Sequence, residues 1–330
     1  MELGCLFPPT TQTPEHIELA EALGYRRALV YDSPAFLADP WITLALAAGR
    51  TSRIRLGVAA TTPRLRHVVA TAGALATLHA HAPGRVEAVI GSGFTSQLML
   101  GKKPVPWADV ERYVVALKAL LAGHEIVWDG ALTGLKHGAR TGITPPDPPI
   151  PLYLAAHGPR GYAVAGRAGD GIVTNISHRG ENPPPPDMSR VQVLYYGTVL
   201  APGERHDDHR VLSAAGPYAA FQLHLGELGV AGDTPECAAF GKALAEVEEN
   251  RQHLELHQAH LIDLTDLDRP FVTGELIART TGTGTADQVH AWVAAIAAEG
   301  ARGVLYGPMG DDIPGELSAF ADAATAGRSA

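Results

Sequence analysis

The sequence predicts an α/β fold, a (β/α)8 TIM barrel with insertions. Short apolar runs without polar alternation, typical of strands buried on both faces, alternate with helical segments along most of the chain. A length of 330 residues suits one such barrel, which commonly needs ~250 residues before insertions are added. A doubly wound open sheet is the alternative that this pattern leaves open.

Residues 150–175 contain one complete strand–turn–helix–strand unit. Leu152–Ala156 is a buried strand, His157-Gly158-Pro159 ends it, and Pro159 suits the first turn of the following helix. Gly169-Asp170-Gly171 ends that helix, and Ile172-Val173-Thr174 is the next strand. A strand end that meets a glycine and a helix N-terminus offers free N–H groups to an anion such as phosphate. An ordinary βα turn is the alternative.

The first half of the chain repeats this unit. Pro8-Pro9 closes the first strand, and Thr13-Pro14-Glu15 begins a helix with a capping residue, a proline and an acid. Later strands end at Asp32-Ser33-Pro34 and at Gly91-Ser92-Gly93. In order, the eight predicted strands are Leu3–Phe7, Arg27–Tyr31, Ile54–Ala60, Val86–Ile90, Leu152–Ala156, Ile172–Thr174, Val191–Leu200 and Gly303–Gly307.

Helical patterns follow most of these strands. The predicted helical segments are residues 13–23, Trp41–Ala48, His67–His81, Trp107–Leu121, residues 159–168, Pro235–Leu256 and the segment that Thr285 begins. Two insertions depart from the repeat: residues 123–149, a hairpin around Val127–Gly130 followed by a loop, and a helical cap at about 208–280. Without a linker or an internal repeat, residues 1–330 are expected to form one domain.

Composition limits the function. A net charge of −9 with only five lysines argues against nucleic acid or an anionic membrane as the main partner. Cys5 and Cys237 form no C-x-x-C pair, which favours small buried residues in a reducing cytoplasm. The first residues lack a basic segment and a long apolar segment, and no apolar run of about 20 residues follows. We therefore expect a soluble cytoplasmic protein.

A barrel of this kind would place its active site at the carboxyl ends of the strands. The residues expected there are small, rich in glycine and weakly charged: Phe7, Asp32, residues 59–62, Ser92-Gly93, His157-Gly158, Asn175 and Tyr306-Gly307. Such a ring suits a broad flat cofactor better than a metal ion or a catalytic triad. Asp32 could instead be a helix cap, since Ser33-Pro34 follows it.

Four stretches resemble the bacterial-luciferase-like flavin and deazaflavin oxidoreductases, in particular the branch similar to F420-dependent methylenetetrahydromethanopterin reductase. They are LVYDSPAFLADPWITLALAAGRTSRIRLGVAATTPRLRH, APGRVEAVIGSGF, PIPLYLAAHGPRGYAVAGRAGDGIV and, more weakly, TGTGTADQVHAWVAAIAAEGARGVLYGP. They occur in the order of that family and span most of the barrel.

The resemblance implies a set of cofactor contacts. Asp32 would lie at the polar edge of the ring system, and Ala59-Ala60, followed by Thr61, would form a bulge behind it that in this family usually holds a non-proline cis peptide. Ser92-Gly93 would contact the ribityl chain or the pyrimidine edge, and Gly158, Arg160 and Gly161 the phosphate. The remaining cofactor-binding candidates are Ala156, His157, Asn175 and Arg279.

The chain departs from that family at three places. Ser33 follows Asp32 where several relatives have a histidine, so the proton-transfer role of that histidine cannot be transferred. His157 stands where a small residue is commoner, and residues 59–62 (Ala-Ala-Thr-Thr) differ from the usual Gly-Val-Thr-Asn type of run.

Histidines and glycine-rich segments elsewhere leave further alternatives. His253, His257 and His260 are spaced i, i+4, i+7 on a predicted helix, where they could bind a metal, line a substrate pocket or face solvent. We expect the pocket wall and no metal. Residues 91–96 lack the third glycine of a dinucleotide motif, and residues 281–284 lack the lysine of a phosphate loop. Arg279 could pair with the cofactor's phosphate or tail carboxylates, or form a surface ion pair.

The resemblance implies an F420-dependent oxidoreductase that transfers a hydride between the deazaflavin and a C=C, C=N or C=O bond of a small substrate. Asp32 would orient the ring, and His157 or His257 would move a proton. An FMN-dependent monooxygenase and a non-catalytic flavin-fold binding protein are the alternatives, because the fold does not decide between them. Proteins of this family are usually homodimers, so a homodimer is expected.

Overall fold

The computed structural model describes residues 1–175, 183–188, 190–227 and 234–326. Eight parallel strands close into a barrel in the order β1-β10-β9-β8-β7-β4-β3-β2, and β5 and β6 pair as a separate antiparallel hairpin. The strands are β1 (Glu2–Phe7), β2 (Arg27–Val30), β3 (Arg55–Thr61), β4 (Val86–Ile90), β5 (Ile126–Trp128), β6 (Ala131–Thr133), β7 (Leu152–Ala155), β8 (Ile172–Asn175), β9 (Val191–Tyr195) and β10 (Gly303–Tyr306). The predicted barrel is therefore confirmed.

Helices separate most of these strands. They are α1 (Thr13–Ala22), α2 (Pro40–Arg50), α3 (Val68–His81), α4 (Phe94–Leu98), α5 (Trp107–Leu121), α6 (Pro159–Ala168), α7 (His209–Glu227), α8 (Pro235–Ala245), α9 (Gln252–His257), α10 (Gly274–Thr280), α11 (Ala286–Ala298) and α12 (Ile313–Thr325). No helix within the described ranges is both long and apolar enough to cross a membrane.

The polypeptide forms two compact units. The barrel unit comprises Met1–Gln97, Lys103–Leu194 and Gly300–Leu305, and the helical unit comprises Leu98–Lys102, Tyr195–Glu299 and Tyr306–Ala330. The prediction of a single domain with a helical insertion stays a prediction.

The barrel interior is filled by one apolar side chain from most strands. The residues that pack together there are Leu6, Leu29, Ala59, Val89, Tyr153, Val173 and Leu305. Their positions repeat the apolar runs from which the strands were predicted, and both cysteines are buried free thiols as expected.

Three predictions about elements were wrong in detail. The predicted strand Val191–Leu200 ends at Tyr195, because residues 196–200 hydrogen-bond to residues 282–284 instead. The predicted helix Pro235–Leu256 is two helices, α8 and α9, separated by a turn. His260 lies beyond the end of α9, since Ala259 takes a left-handed conformation with φ 54°, so the three histidines do not share one helix face. The helices α4, α7, α10 and α12 were not individually predicted.

Candidate active site at the carboxyl ends of the strands

A bulge in β3 shapes the carboxyl end of the barrel. The pairing of β3 with β4 shifts between Ala59, opposite Val89, and Thr61, opposite Ile90, so that Ala60 is left out of the ladder. The Ala59-Ala60 peptide bond is cis, as the resemblance implied.

Asp32 is a buried carboxylate at the end of β2. Asp32 is only 2% exposed, and neither oxygen of its carboxylate has a hydrogen-bond partner among the described residues. Burial raises the pKa of Asp32, although the nearby Thr61 hydroxyl and the Arg66 guanidinium oppose that rise. The Arg66 guanidinium is itself engaged by Asp39, at 2.5 Å between Nη2 and Oδ2. Asp32 therefore keeps its hydrogen-bonding capacity for another group.

Further polar atoms lie beside the Ser92-Gly93 turn. Gly93 has φ 76°, and a Cβ on it would lie 2.9 Å from Oγ of Ser96 and 3.0 Å from Cγ of Gln97. Gln97 donates from Nε2 to Oγ1 of Thr62 at 3.4 Å. Oγ of Ser96 and Oε1 of Gln97 are buried and lack a partner in the described part of the chain. Sequence reasoning missed Ser96 and Gln97, because the five residues of α4 are too few for a helical period.

The predicted phosphate turn stands at the end of β7. Gly158 is the N-cap of α6, with extended backbone at φ −170° and no side-chain cap, so the first N–H groups of that helix have no capping side chain. A Cβ on Gly161 would lie 2.7 Å from the Trp107 ring, which explains why this position is glycine. Arg160 is exposed.

His157 has a defined tautomer at the same end of the barrel. Its Nδ1 accepts a hydrogen bond from the backbone N–H of Asn175 at 3.2 Å, so the neutral ring carries its proton on Nε2. The side chain is exposed, whereas Ala156 and Asn175 are buried. Its predicted role in proton transfer stays a prediction.

Two predicted site residues belong to the helical unit. Arg279 pairs with Glu236 at 3.1 Å on an exposed surface, the alternative that its sequence context left open. His257 is 1% exposed, and burial, followed by the neighbouring His224 and His253, lowers its pKa to about 4. Among the residues that the structure describes, no group of three or more histidine, cysteine or acidic side chains could hold a metal ion.

The barrel unit thus contains several buried polar atoms that have no hydrogen-bond partner among the described residues. Oxygens of Asp32, Thr61, Ser96 and Gln97 are all buried and have no hydrogen-bond partner within the described part of the chain. Thr61 directly follows the small side chains of Ala59 and Ala60 in β3. Buried polar groups are nearly always hydrogen-bonded in proteins. This donor and acceptor set fits the polar edge of a flat heteroaromatic ring, with Gly158 to Gly161 available for an attached phosphate.

Two curated proteins are similar to part of this chain. F420-dependent glucose-6-phosphate dehydrogenase of Beutenbergia cavernae is 38% identical over 175 residues, which are 47% of this chain and 49% of that protein. 5,10-Methylenetetrahydromethanopterin reductase of Methanolobus tindarius is 28% identical over 174 residues, 52% of each chain. The matched region therefore spans about half the length of these curated relatives.

A solved structure shows the same fold over nearly the whole chain. The coenzyme F420-dependent tetrahydromethanopterin reductase of Methanopyrus kandleri superposes with a TM-score of 0.70 at 20% identity, covering 97% of each chain. Residues 7–182, more than half of the sequence, match the family described as luciferase-like monooxygenase. The chain therefore belongs to the luciferase-like family.

Proposed function

We propose that this protein is an F420-dependent oxidoreductase. The observation that carries the proposal is a set of buried oxygens, those of Asp32, Thr61, Ser96 and Gln97, that have no hydrogen-bond partner among the described residues, at the end of the barrel where β3 has its bulge. Relatives that are named as F420-dependent enzymes, and that match this chain over about half of their length, support the proposal. When bound, F420 supplies a carbon centre that carries hydride to or from a double bond of the substrate.

The residues of the barrel unit position and desolvate the reacting groups. Asp32 and Gln97 would hydrogen-bond polar atoms of the ring, and Ser92, Gly93 and Ser96 would line its edge. The N-terminus of α6 would bind the phosphate through its unsatisfied N–H groups. His157 would present its Nε2–H at the same end of the barrel.

A direct comparison of two cofactors tests this function. Purified protein is titrated with F420 and with FMN, and oxygen uptake is followed with each reduced cofactor and a panel of substrates. We expect tighter binding of F420 and hydride transfer without oxygen consumption. Oxygen uptake that depends on substrate and FMN, without any change in the F420 spectrum, would favour the monooxygenase instead, and binding of neither cofactor would favour the non-catalytic alternative.

Gly158 offers a clean test of the phosphate site. A Cβ at this position meets no atom within 4 Å, and aspartate is a favourable N-cap residue, so Gly158→Asp should fold normally. Its carboxylate would repel the phosphate and weaken F420 binding at least tenfold, about 1.4 kcal/mol. Gly158→Asn, which caps without charge, is the matched control. Equal affinities of both variants and wild type would place the phosphate elsewhere.

The homodimer expected from the resemblance has a candidate surface on α2. Ile42 is 65% exposed and Leu46 is 58% exposed, one turn apart on the barrel unit, and an apolar helix face of this kind is typical of an interface. We propose that a second copy of this chain covers it. Leu46→Glu should convert the dimer to monomers in light scattering, while the equally exposed Val127→Glu on the β5–β6 hairpin should not.

The two buried free cysteines fit the cytoplasmic location that we also propose.

A further inference from the structure

Three buried histidines lie together in the interior of the helical unit. His224, on α7, is 3% exposed, His257, on α9, is 1% exposed, and His260, in the turn that follows α9, is 8% exposed. The ring centroid of His260 lies 5.7 Å from that of His257 and 6.3 Å from that of His224. A positive charge on one of these rings would therefore act on its neighbours through an interior that screens charge poorly. We call the three side chains the histidine cluster.

A strained turn holds His260 in the histidine cluster. Ala259 and Leu261, on either side of it, have φ values of 54° and 57°. In this left-handed region the Cβ of a residue other than glycine is crowded by its own backbone, so the conformation persists only where the surrounding structure maintains it. Leu261 is itself buried, at 8% exposed. Loss of the packing around this turn would let both residues return to an ordinary conformation.

Burial keeps His257 and His260 neutral. Burial, followed by the neighbouring His224 and His253, lowers the pKa of His257 to about 4. Burial, followed by His224 and His257, lowers the pKa of His260 well below its ordinary value. Both nitrogens of a protonated imidazole are donors. Nδ1 of His257 is buried and has no hydrogen-bond partner among the described residues, so its added N–H would have no acceptor there.

The titratable groups that face His257 and His260 are themselves mostly imidazoles. α7 contributes His224, whose Nε2 lies 2.8 Å from the carboxylate of Asp268, and that carboxylate also accepts the hydroxyl of Thr265 at 2.7 Å. α9 contributes the half-buried His253. The charged side chains of α8 and the others of α9 are exposed or paired with one another, among them Lys242, Glu246, Arg251 and Glu255. The carboxylate of Asp268 is thus already engaged when a proton reaches His257.

We propose that residues 252–262 are an acid-sensitive segment, and that proton uptake by His257 and His260 opens this segment while the barrel unit stays folded. Opening exposes both imidazoles to water, where each can carry a charge at little cost. It also releases the left-handed conformations of Ala259 and Leu261. The opening involves the helical unit alone and needs no cofactor, so it would make this unit responsive to acidification.

The direction and the range of the pH effect follow from the two states of each ring. In the open segment the rings regain the ordinary histidine pKa of 6.5, whereas in the closed segment the pKa of His257 is about 4. Below pH 6.5 the open state therefore binds more protons, and the closed state loses stability as the pH falls. Burial would raise the pKa of Asp268, but its hydrogen bonds hold it below its ordinary value of 3.8, so it titrates below this range.

Hydrogen–deuterium exchange of the full chain measures the opening. Exchange of peptides that cover residues 252–262 is corrected for its intrinsic dependence on pH and compared at pH 6.5 and 4.5. With two titrating rings, the opening equilibrium should rise on the order of 1000-fold between these values. Peptides of α5, which contains no histidine, should show no such rise. Opening of the segment that does not change with pH, or an equal rise in α5 through global acid unfolding, would overturn the proposal.

Two variants separate proton uptake from loss of packing. His257→Gln removes one titrating ring, so the rise should fall to about 50-fold, and His257→Gln combined with His260→Gln should abolish it. Leu256→Ala removes a buried side chain beside His257, so it should increase opening at every pH but keep the full rise. A full rise in His257→Gln, or a reduced rise in Leu256→Ala, would contradict the role of the two imidazoles.

Nitrogen-15 NMR tests the closed state without any substitution. Signals of histidine-labelled wild-type protein are followed from neutral pH downwards, and His257 should remain neutral in the folded protein to about pH 5, because the interior disfavours its charge. Protonation of His257 near pH 6.5, with the segment still closed to exchange, would show that the closed state accepts the proton and would overturn the proposal.

Discussion

Each end of the barrel contains a buried carboxylate, and the two carboxylates have different surroundings. Near the amino ends of the strands, Glu87 is 1% exposed and lies 3.5 Å from Nε of Arg27 and 3.6 Å from Nε of Arg55. At the carboxyl ends, Asp32 is 2% exposed and forms no ion pair with any described residue. Burial raises the pKa of both carboxyls; the guanidinium groups of Arg27 and Arg55 oppose that rise at Glu87, and the Thr61 hydroxyl and the Arg66 guanidinium oppose it at Asp32. Oxygens of both carboxylates lack a hydrogen-bond partner among the described residues, but Glu87 lies within ion-pair distance of two arginines and Asp32 does not. We therefore propose that the end with Asp32 is the one that binds a ligand.

Removing the charge of Glu87 should have the largest effect. Glu87→Gln leaves the buried guanidinium of Arg27 with a weakened set of partners, so the free energy of unfolding should fall by about 3–5 kcal/mol. Urea denaturation measures this loss. Glu111→Gln, at an exposed pair with Arg167, is the control and should change little. Similar stability of both variants would contradict the structural role of Glu87.

Glycine substitutions should show the same contrast. A Cβ on Gly57, in β3, would lie within 3.0 Å of the carbonyl carbon of Glu87, so Gly57→Ala should cost about 1–3 kcal/mol. Gly158→Ala, at the open end, should be tolerated because no atom lies within 4 Å of the new methyl group. Equal melting temperatures of the two variants would show that the closed end is less tightly packed than described.

Asp32→Asn should leave the fold intact and weaken the binding of F420. The amide has the shape of the carboxyl but lacks its charge, so F420 affinity should fall at least tenfold, about 1.4 kcal/mol. Fluorescence titration measures the dissociation constant, with the exposed Asp129→Asn as control. Wild-type affinity in Asp32→Asn would remove Asp32 from the cofactor site.

The smallest expected effect is the change with pH in the stability difference between Asp32→Asn and wild type. A carboxyl whose pKa is raised in the folded state holds its proton more tightly there than in the unfolded chain. Its stabilising contribution is therefore present at low pH and is lost as the pH rises through the folded pKa. Asp32→Asn should be more stable than wild type at pH 7, and the difference should shrink as the pH approaches 4. A constant difference across that range would show that Asp32 does not carry this penalty.

Local pattern was sufficient to predict the barrel but only part of the site. Strands such as Val86–Ile90 could be predicted because a strand buried on both faces is mostly apolar, and Asp32 because it comes directly after a predicted strand. Ser96 and Gln97 were not found, since their burial depends on the tertiary position of a single helical turn.

The close contact between Gly161 and Trp107 limits how this site could be changed by protein engineering. Any side chain at Gly161 would meet the indole ring within 3 Å, so variation there would separate α6 from α5 before it altered ligand preference. Gly158 and the exposed Arg160 carry no such restriction. A mutant library aimed at a different phosphate-bearing cofactor should therefore randomise positions 158 and 160 and leave 161 and 107 fixed.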